Sequence, residues 1–195
     1  MSRVLVLYGT TDGHTAKVAA RLADALRSQR LDVDVVLAGR DPKTPRADDY
    51  AAVVVAASVH ASGYQRRVRR WVREHAPALA GRPTAFVSVC LGVLQREPAV
   101  DRELDAIMGR FLEITGWRPT TTKIVAGALL YTQYNWLKRL VMKRIVAKAK
   151  GDTDTSRDYE YTDWADLEAF ARTFVALTAE WHGSGADRGT SISAA

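Results

Sequence analysis

Residues 4–15 read VLVLYGTTDGHT, an apolar run that passes directly into a short polar loop. The run Val4–Tyr8 is apolar throughout, which is typical of a β-strand that is buried on both faces of a sheet. From Gly13 onward the apolar residues recur at helical spacing, beginning with Val18 and Leu22. The sequence therefore predicts a buried strand, a polar loop and an amphipathic helix, in that order.

The polar loop has the composition of a phosphate-binding site. It combines hydroxyl groups with a glycine at the start of the helix, in the order Thr10, Thr11, Asp12, Gly13, His14 and Thr15. Free backbone N–H groups and the positive end of the helix dipole meet at such a point and bind anions. We expect Gly13 to let the backbone approach the anion without obstruction by a side chain. The alternative is that Thr10 and Asp12 only cap the helix.

Strand-like and helix-like segments alternate along the rest of the chain. Further strands are predicted around residues 33–37, 51–57, 84–89 and 120–126, and further helices around residues 64–73, 98–115 and 164–174. Such alternation predicts parallel strands that are joined by right-handed crossovers, with helices on both faces of the sheet. The predicted fold class is therefore α/β, with a doubly wound, five-stranded parallel sheet.

Composition and missing motifs exclude several classes of protein. The 195-residue chain carries 28 Lys and Arg against 22 Asp and Glu, and the resulting net charge of +6 favours an anionic partner. The single cysteine, Cys90, excludes an intramolecular disulfide and a multi-cysteine metal site, so we expect a cytoplasmic protein without a metal. No G-x-G-x-x-G pattern occurs, and His14 stands where a P-loop has lysine. We expect neither a signal peptide nor a membrane span, because the first strand begins at Arg3 and the longest apolar stretch, Ala51–Val59, is too short.

Two further loops are expected to meet the polar loop, because open α/β sheets bind ligands beyond the carboxyl ends of their strands. They follow the third and fourth strands and are rich in small residues, which let backbone amides approach a flat ligand. The candidate binding residues in them, with one that follows the fifth strand, are Ser58, Val59, His60, Gly63, Cys90, Leu91, Gly92 and Gly127. We interpret Cys90 as a packed thiol rather than a redox group. A phosphorylated planar ligand fits these loops.

With these loops the sequence resembles the flavodoxin-like FMN proteins. A more specific resemblance lies downstream, where GALLY at 127–131, GDTDT at 151–155 and YTDW at 161–164 are similar to the quinone-dependent protoporphyrinogen dehydrogenases. This resemblance extends from Arg3 to about Leu177. It implies FMN as the cofactor, bound by the loops described above, and oxidation of protoporphyrinogen IX to protoporphyrin IX in haem biosynthesis. It also implies menaquinone or ubiquinone as the electron acceptor.

The sequence departs from that family where arginines are common, at His60, Leu130, Gln133 and Asn135. Arginine pairs well with propionate carboxylates, so another electron donor remains an alternative. The rival interpretations are a flavodoxin-like electron carrier, a quinone reductase with a different donor, and a flavin-free adaptor. Carriers of that kind are typically acidic, unlike this chain. His60 is the single candidate for catalytic proton transfer, and a solvated loop histidine is the alternative.

A long insertion, residues 128–162, is predicted near the fifth strand, and its length suggests a function. Between residues 131 and 150 it contains no acidic residue and six basic ones, Lys138, Arg139, Lys143, Arg144, Lys148 and Lys150. Apolar residues recur at helical spacing among them, as in helices that lie on a membrane surface. A quinone dissolves in the bilayer, so we expect a protein that binds an anionic membrane surface at the inner face of the cell membrane. The alternatives are packing on the domain and contact between subunits of a homo-oligomer.

The C-terminal segment sets the predicted domain boundary, and an arginine-rich segment bears on nucleic-acid binding. We predict an FMN-binding domain over residues 1–180 and a disordered tail over residues 181–195, because the tail is rich in Gly, Ser and Ala without a period. The arginines between residues 66 and 73 fit a solvated helix face. No motif for DNA or RNA accompanies them, so we expect no nucleic-acid partner.

Overall fold

A computed structural model describes residues 3–39, 45–60, 62–95, 97–133, 152 and 154–188. Its main sheet has five parallel strands in the order β2-β1-β3-β4-β5. The strands are β1 Arg3–Gly9, β2 Asp32–Leu37, β3 Ala52–Ser58, β4 Thr84–Cys90 and β5 Thr121–Ala126. The predicted five-stranded parallel sheet is therefore confirmed. The strand order reverses between β1 and β3, and such a switch point opens a crevice at the carboxyl ends of the strands.

Four described helices cover the two faces of this sheet: α1 His14–Ser28, α2 Arg66–Ala80, α3 Pro98–Thr115 and α4 Trp164–Arg188. Alternate side chains of β1 point to opposite layers, which explains why its sequence is apolar throughout. Val4 and Val6 pack in the core that includes α1 and α4, whereas Leu5 and Leu7 pack in the core that includes α2 and α3. Both faces of β1 are therefore buried.

The described ends of the insertion form a small antiparallel sheet of their own. Strand β6, Ala128–Leu129, pairs with strand β7, Tyr159–Glu160. Beside them Tyr131 is fully buried, and its hydroxyl donates a hydrogen bond to the backbone oxygen of Asp152 at 3.0 Å. The Tyr161 hydroxyl donates to the carboxylate of the same residue at 2.6 Å. The insertion therefore begins and ends at a compact base, which also contacts Leu91.

Two sequence predictions concern the middle of the insertion and the C-terminal end of the chain. The six basic residues of the insertion lie outside the described residues. Helix α4 continues to Arg188, so the predicted boundary at residue 181 falls inside the helix. None of the described helices is both long and apolar enough for a bilayer crossing.

Candidate functional site

A cleft of about 230 Å³ lies at the carboxyl ends of the strands, at the switch point between β1 and β3. The residues that line it are Thr10, Thr11, Asp12, His14, Thr15, Ser58, Val59, His60, Val89, Cys90, Leu91, Gly92, Gly127 and Ala128. Every predicted site residue except Gly13 and Gly63 is in this lining. Val89 and Ala128 were not predicted, because a strand end and an insertion residue carry no binding motif of their own.

The loop before α1 presents the start of that helix to the cleft. Gly13 is the N-cap residue and has no side chain that could accept hydrogen bonds from the first turn. The Thr10 hydroxyl instead accepts a hydrogen bond from the Gly13 backbone N–H at 2.9 Å, which closes the loop. The capping alternative therefore fails for Thr10, because its hydroxyl bonds to the loop and not to the helix. The first-turn N–H groups of an uncapped helix attract an anion.

Backbone conformation gives a requirement for glycine at position 13 that the sequence analysis did not predict. A methyl group at Gly13 would meet no neighbouring atom of the described chain within 4 Å, so space is not the constraint. The backbone there has φ +91°, in the left-handed region that L-residues rarely adopt. Conformation is therefore one reason for glycine here, and the expectation that a side chain would obstruct the approach of an anion stays a prediction.

Helix α2 reaches the cleft because glycine allows it to pack closely on β1. A methyl group at Gly9 would lie 2.4 Å from Cγ2 of Val68, so only glycine permits this approach. At the start of α2, the Gln65 amide donates hydrogen bonds to Thr11 Oγ1 at 3.1 Å and to Ser58 Oγ at 2.7 Å. Gln65 thereby connects the first two loops. The sequence analysis missed it, although the glycine at the strand end was a signal of close helix packing.

The loop after β3 makes a tight turn at the rim of the cleft. The backbone N–H of His60 donates to Gly63 O at 2.8 Å, and the N–H of Gly63 donates to His60 O at 3.1 Å. Gly63 thus closes the turn and does not line the cleft. His60 lines the cleft with an exposed side chain, which agrees with a solvated loop histidine. Its part in proton transfer stays a prediction.

The loop after β4 holds Cys90 as a thiol. Burial raises the pKa of the Cys90 thiol, and the Gly92 backbone N–H donates a hydrogen bond to its sulfur at 3.2 Å. A thiol that stays protonated is a poor nucleophile and redox group, which supports the packing interpretation. The Gly127 N–H donates to Cys90 O at 3.3 Å, so the loops after β4 and β5 form one wall of the cleft.

His14 is buried between the loop before α1 and the end of the insertion. Its Nε2 lies 2.7 Å from the hydroxyl oxygen of Thr162, which in turn donates a hydrogen bond to Ala126 O at 2.7 Å. Burial lowers the pKa of the imidazole, since a charged ring would lose hydration. The Glu160 carboxylate opposes this shift from 3.9 Å away, and the Lys17 ammonium adds to it. No sequence pattern predicts this contact, because 148 positions separate the two partners.

Comparisons with known proteins agree with this geometry. A family model described as a flavodoxin domain matches residues 5–156. The protoporphyrinogen IX dehydrogenase [quinone] of Escherichia coli strain K12 is 34% identical over 176 residues, which cover 90% of this chain and 96% of that protein. The protein of the same name from Leishmania major is 32% identical over 181 residues, which cover 90% of this chain and 75% of that protein.

Solved structures support the fold. The oxidised flavodoxin 1 of Bacillus cereus superposes with a TM-score of 0.53 at 14% sequence identity, over 90% of this chain and 98% of that chain. At this identity the likeness concerns the fold alone. The flavodoxin-like arrangement predicted from the sequence is therefore confirmed.

Proposed function

The chain belongs to the flavodoxin-domain family and, within it, to the quinone-dependent protoporphyrinogen IX dehydrogenases, and from this membership we propose its reaction. The protein is an oxidoreductase that oxidises protoporphyrinogen IX to protoporphyrin IX and transfers the electrons to a quinone. The observation that carries the proposal is the 34% identity over 90% of the chain, which spans both the cleft and the insertion.

We propose FMN as the cofactor, because the cleft offers one uncapped helix N-terminus for a single phosphate. The loop before α1 would bind the phosphate through its backbone N–H groups and through the hydroxyls of Thr11 and Thr15. The small residues Ser58 and Gly92 would lie beside the flat ring. When bound, FMN supplies the redox chemistry by taking electrons from the donor and passing them to the acceptor. The protein's contribution is to hold both reactants at one cleft.

We propose that the insertion brings the quinone to this cleft. Its first strand begins at Ala128, which lines the cleft, and its base contacts Leu91 of the neighbouring loop after β4. The six basic residues and the apolar residues among them would bind anionic headgroups and the upper acyl region. We therefore propose that the protein associates peripherally with the inner face of the cell membrane, with menaquinone as the acceptor.

Anaerobic turnover tests the reaction directly. Purified protein that is loaded with FMN should convert protoporphyrinogen IX to the fluorescent porphyrin when a menaquinone analogue is present, and should stop after one equivalent of flavin is reduced when it is absent. FMN retention without porphyrinogen oxidation would contradict the proposed donor. It would favour the quinone reductase with a different donor, which the arginine departures leave open.

A matched pair of threonine variants tests the cofactor site. Thr11→Val removes a hydroxyl from the cleft, whereas Thr173→Val removes a hydroxyl from another exposed threonine, on α4. Loss of one hydrogen bond to a charged phosphate should weaken FMN binding by about tenfold or more in the first variant only. Equal FMN affinity of both variants would contradict the proposed place of the phosphate.

A further inference from the structure

We propose that His14 is a positioning residue, whose buried ring holds the returning end of the insertion against the loop before α1. It thereby sets the distance between that loop and the opposite wall of the cleft, which Gly127 and Ala128 form. The relevance to catalysis rests on the proposed function, because that cleft is the proposed FMN site. The contact itself needs no cofactor and can be tested without one.

The hydrogen bonds that join His14, Thr162 and Ala126 determine which group is the donor in each of them. The hydroxyl of Thr162 has one hydrogen, which it donates to Ala126 O because a carbonyl oxygen can only accept. The hydroxyl oxygen must then accept the hydrogen bond from His14, so Nε2 of the ring carries the proton. The ring is thus committed to Thr162 and does not offer this N–H to a ligand in the cleft. His14 acts on the site through its neighbours.

Ionic and aromatic contacts reinforce the same junction. Lys17 on α1 forms an ion pair with Glu160 on β7, and the indole N–H of Trp164 donates to the same carboxylate at 2.9 Å. The Lys17 ammonium also lies 5.3 Å from the centre of the Trp164 ring. These contacts are partly exposed and contribute less than the buried bond. Helix α1, the insertion and helix α4 therefore meet at one point, with His14 as its buried member.

The junction continues into the cleft wall. The backbone N–H of Tyr161 donates to Gly127 O at 3.1 Å, and Thr162 bonds to Ala126. Residues 126–128 are thus held by the end of the insertion, and that end is held by His14. Loss of the His14 bond would leave the wall attached to the insertion but would remove the buried bond between the insertion and the start of α1, leaving the more exposed ion pair of Lys17 with Glu160. A ligand that orders the loop before α1 should also order this wall.

Amide hydrogen exchange of apo-protein tests the junction, because exchange of the Tyr161 N–H requires its bond to Gly127 to open. Glutamine can place an amide N–H near the position of histidine Nε2, whereas the shorter asparagine cannot. His14→Asn should therefore exchange the Tyr161 amide about fivefold faster than wild type, the expected effect of one lost hydrogen bond, and His14→Gln should restore the wild-type rate. His75→Leu on α2 is the matched control and should leave this amide unchanged.

A double-mutant cycle distinguishes loss of the His14–Thr162 hydrogen bond from a general loosening of the structure. Thr162→Val removes the partner, so His14→Asn should have no further effect on exchange in that background. FMN should slow exchange of the same amide in wild type and in His14→Gln, but not in His14→Asn. Equal exchange in the asparagine and glutamine variants, or additive effects in the cycle, would overturn the inference. Because the comparison of variants and the double-mutant cycle use apo-protein, a failure to bind FMN would count against the proposed function alone.

Discussion

Two glycines with equally open surroundings should respond to the same substitution with opposite sign. A methyl group at Gly13 or at Gly109 would meet no neighbouring atom of the described chain within 4 Å. The two positions differ in backbone conformation, since Gly13 has φ +91° and Gly109 lies inside helix α3. The pair therefore isolates the effect of conformation from that of packing.

The magnitudes follow from backbone energetics. An L-residue in the left-handed region costs about 1–2 kcal/mol, so Gly13→Ala should lower the free energy of unfolding by about that amount. Glycine inside a helix is less stable than alanine by about 0.5–1 kcal/mol, so Gly109→Ala should raise it. In a chain of this size about 1 kcal/mol shifts Tm by about 2–4 °C. We expect a fall of about 2–8 °C for the first variant and a rise of about 1–4 °C for the second.

Thermal unfolding of the apo and FMN-saturated proteins provides the assay. If the loop of apo Gly13→Ala relaxes, the strain appears only on binding, and FMN affinity should fall by about fivefold to thirtyfold. If the loop keeps its conformation, the strain appears in the Tm of both forms. A Gly13→Ala protein with wild-type Tm and wild-type FMN affinity would refute the conformational argument. Destabilisation by Gly109→Ala would show that the helix tolerates no added methyl group there.

Three other perturbations have defined outcomes. Gly9→Ala places its methyl group 2.4 Å from a side chain of α2 and should cost about 1–3 kcal/mol in urea unfolding, an expectation that wild-type stability would contradict. Burial lowers the pKa of His14 below its usual 6.5, so the folded state binds fewer protons than the unfolded state. The free energy of unfolding of the wild type should therefore fall as the pH is lowered from about 7 to 5.5, and that of His14→Gln should fall less. Parallel plots of unfolding free energy against pH for the two proteins would contradict this expectation. Arg144→Glu should weaken binding to anionic vesicles by about fivefold or more at low salt, whereas Arg102→Glu on α3 should not, and equal binding of the two variants would remove the insertion from the membrane contact.

The sequence predicted the sheet and most of the cleft lining because both depend on local patterns. The apolar run of β1, the hydroxyl-rich loop after it and the small residues after β3 and β4 are each contiguous in the chain. Parallel topology then brings the carboxyl ends of these strands to one edge, so residues far apart in sequence become neighbours by a general rule. No detailed contact had to be known for that inference.

The contacts that the sequence did not predict depend on precise distances between elements. Gln65 connects Thr11 to Ser58 only because Gly9 lets α2 pack closely on β1. His14 reaches Thr162 only because the insertion returns beside α1. Neither pair is marked by periodicity or by a motif, and an isolated histidine or glutamine fits many environments. Such contacts can be found only once the packing of the helices is known.

The attachment of the insertion explains how a long segment can serve the cleft without disturbing the sheet. Pairing of Ala128 with Glu160 brings the two ends together, so the chain between them closes a loop on a preformed base. The entropic cost of closing a loop grows only slowly with its length, so the intervening residues affect the stability of the sheet little. The same base includes Ala128, which lines the cleft, and contacts Leu91 in the neighbouring loop after β4. Under the proposed function, changes between the two ends of the insertion should therefore alter which acceptor reaches the cleft, while the five strands stay as they are.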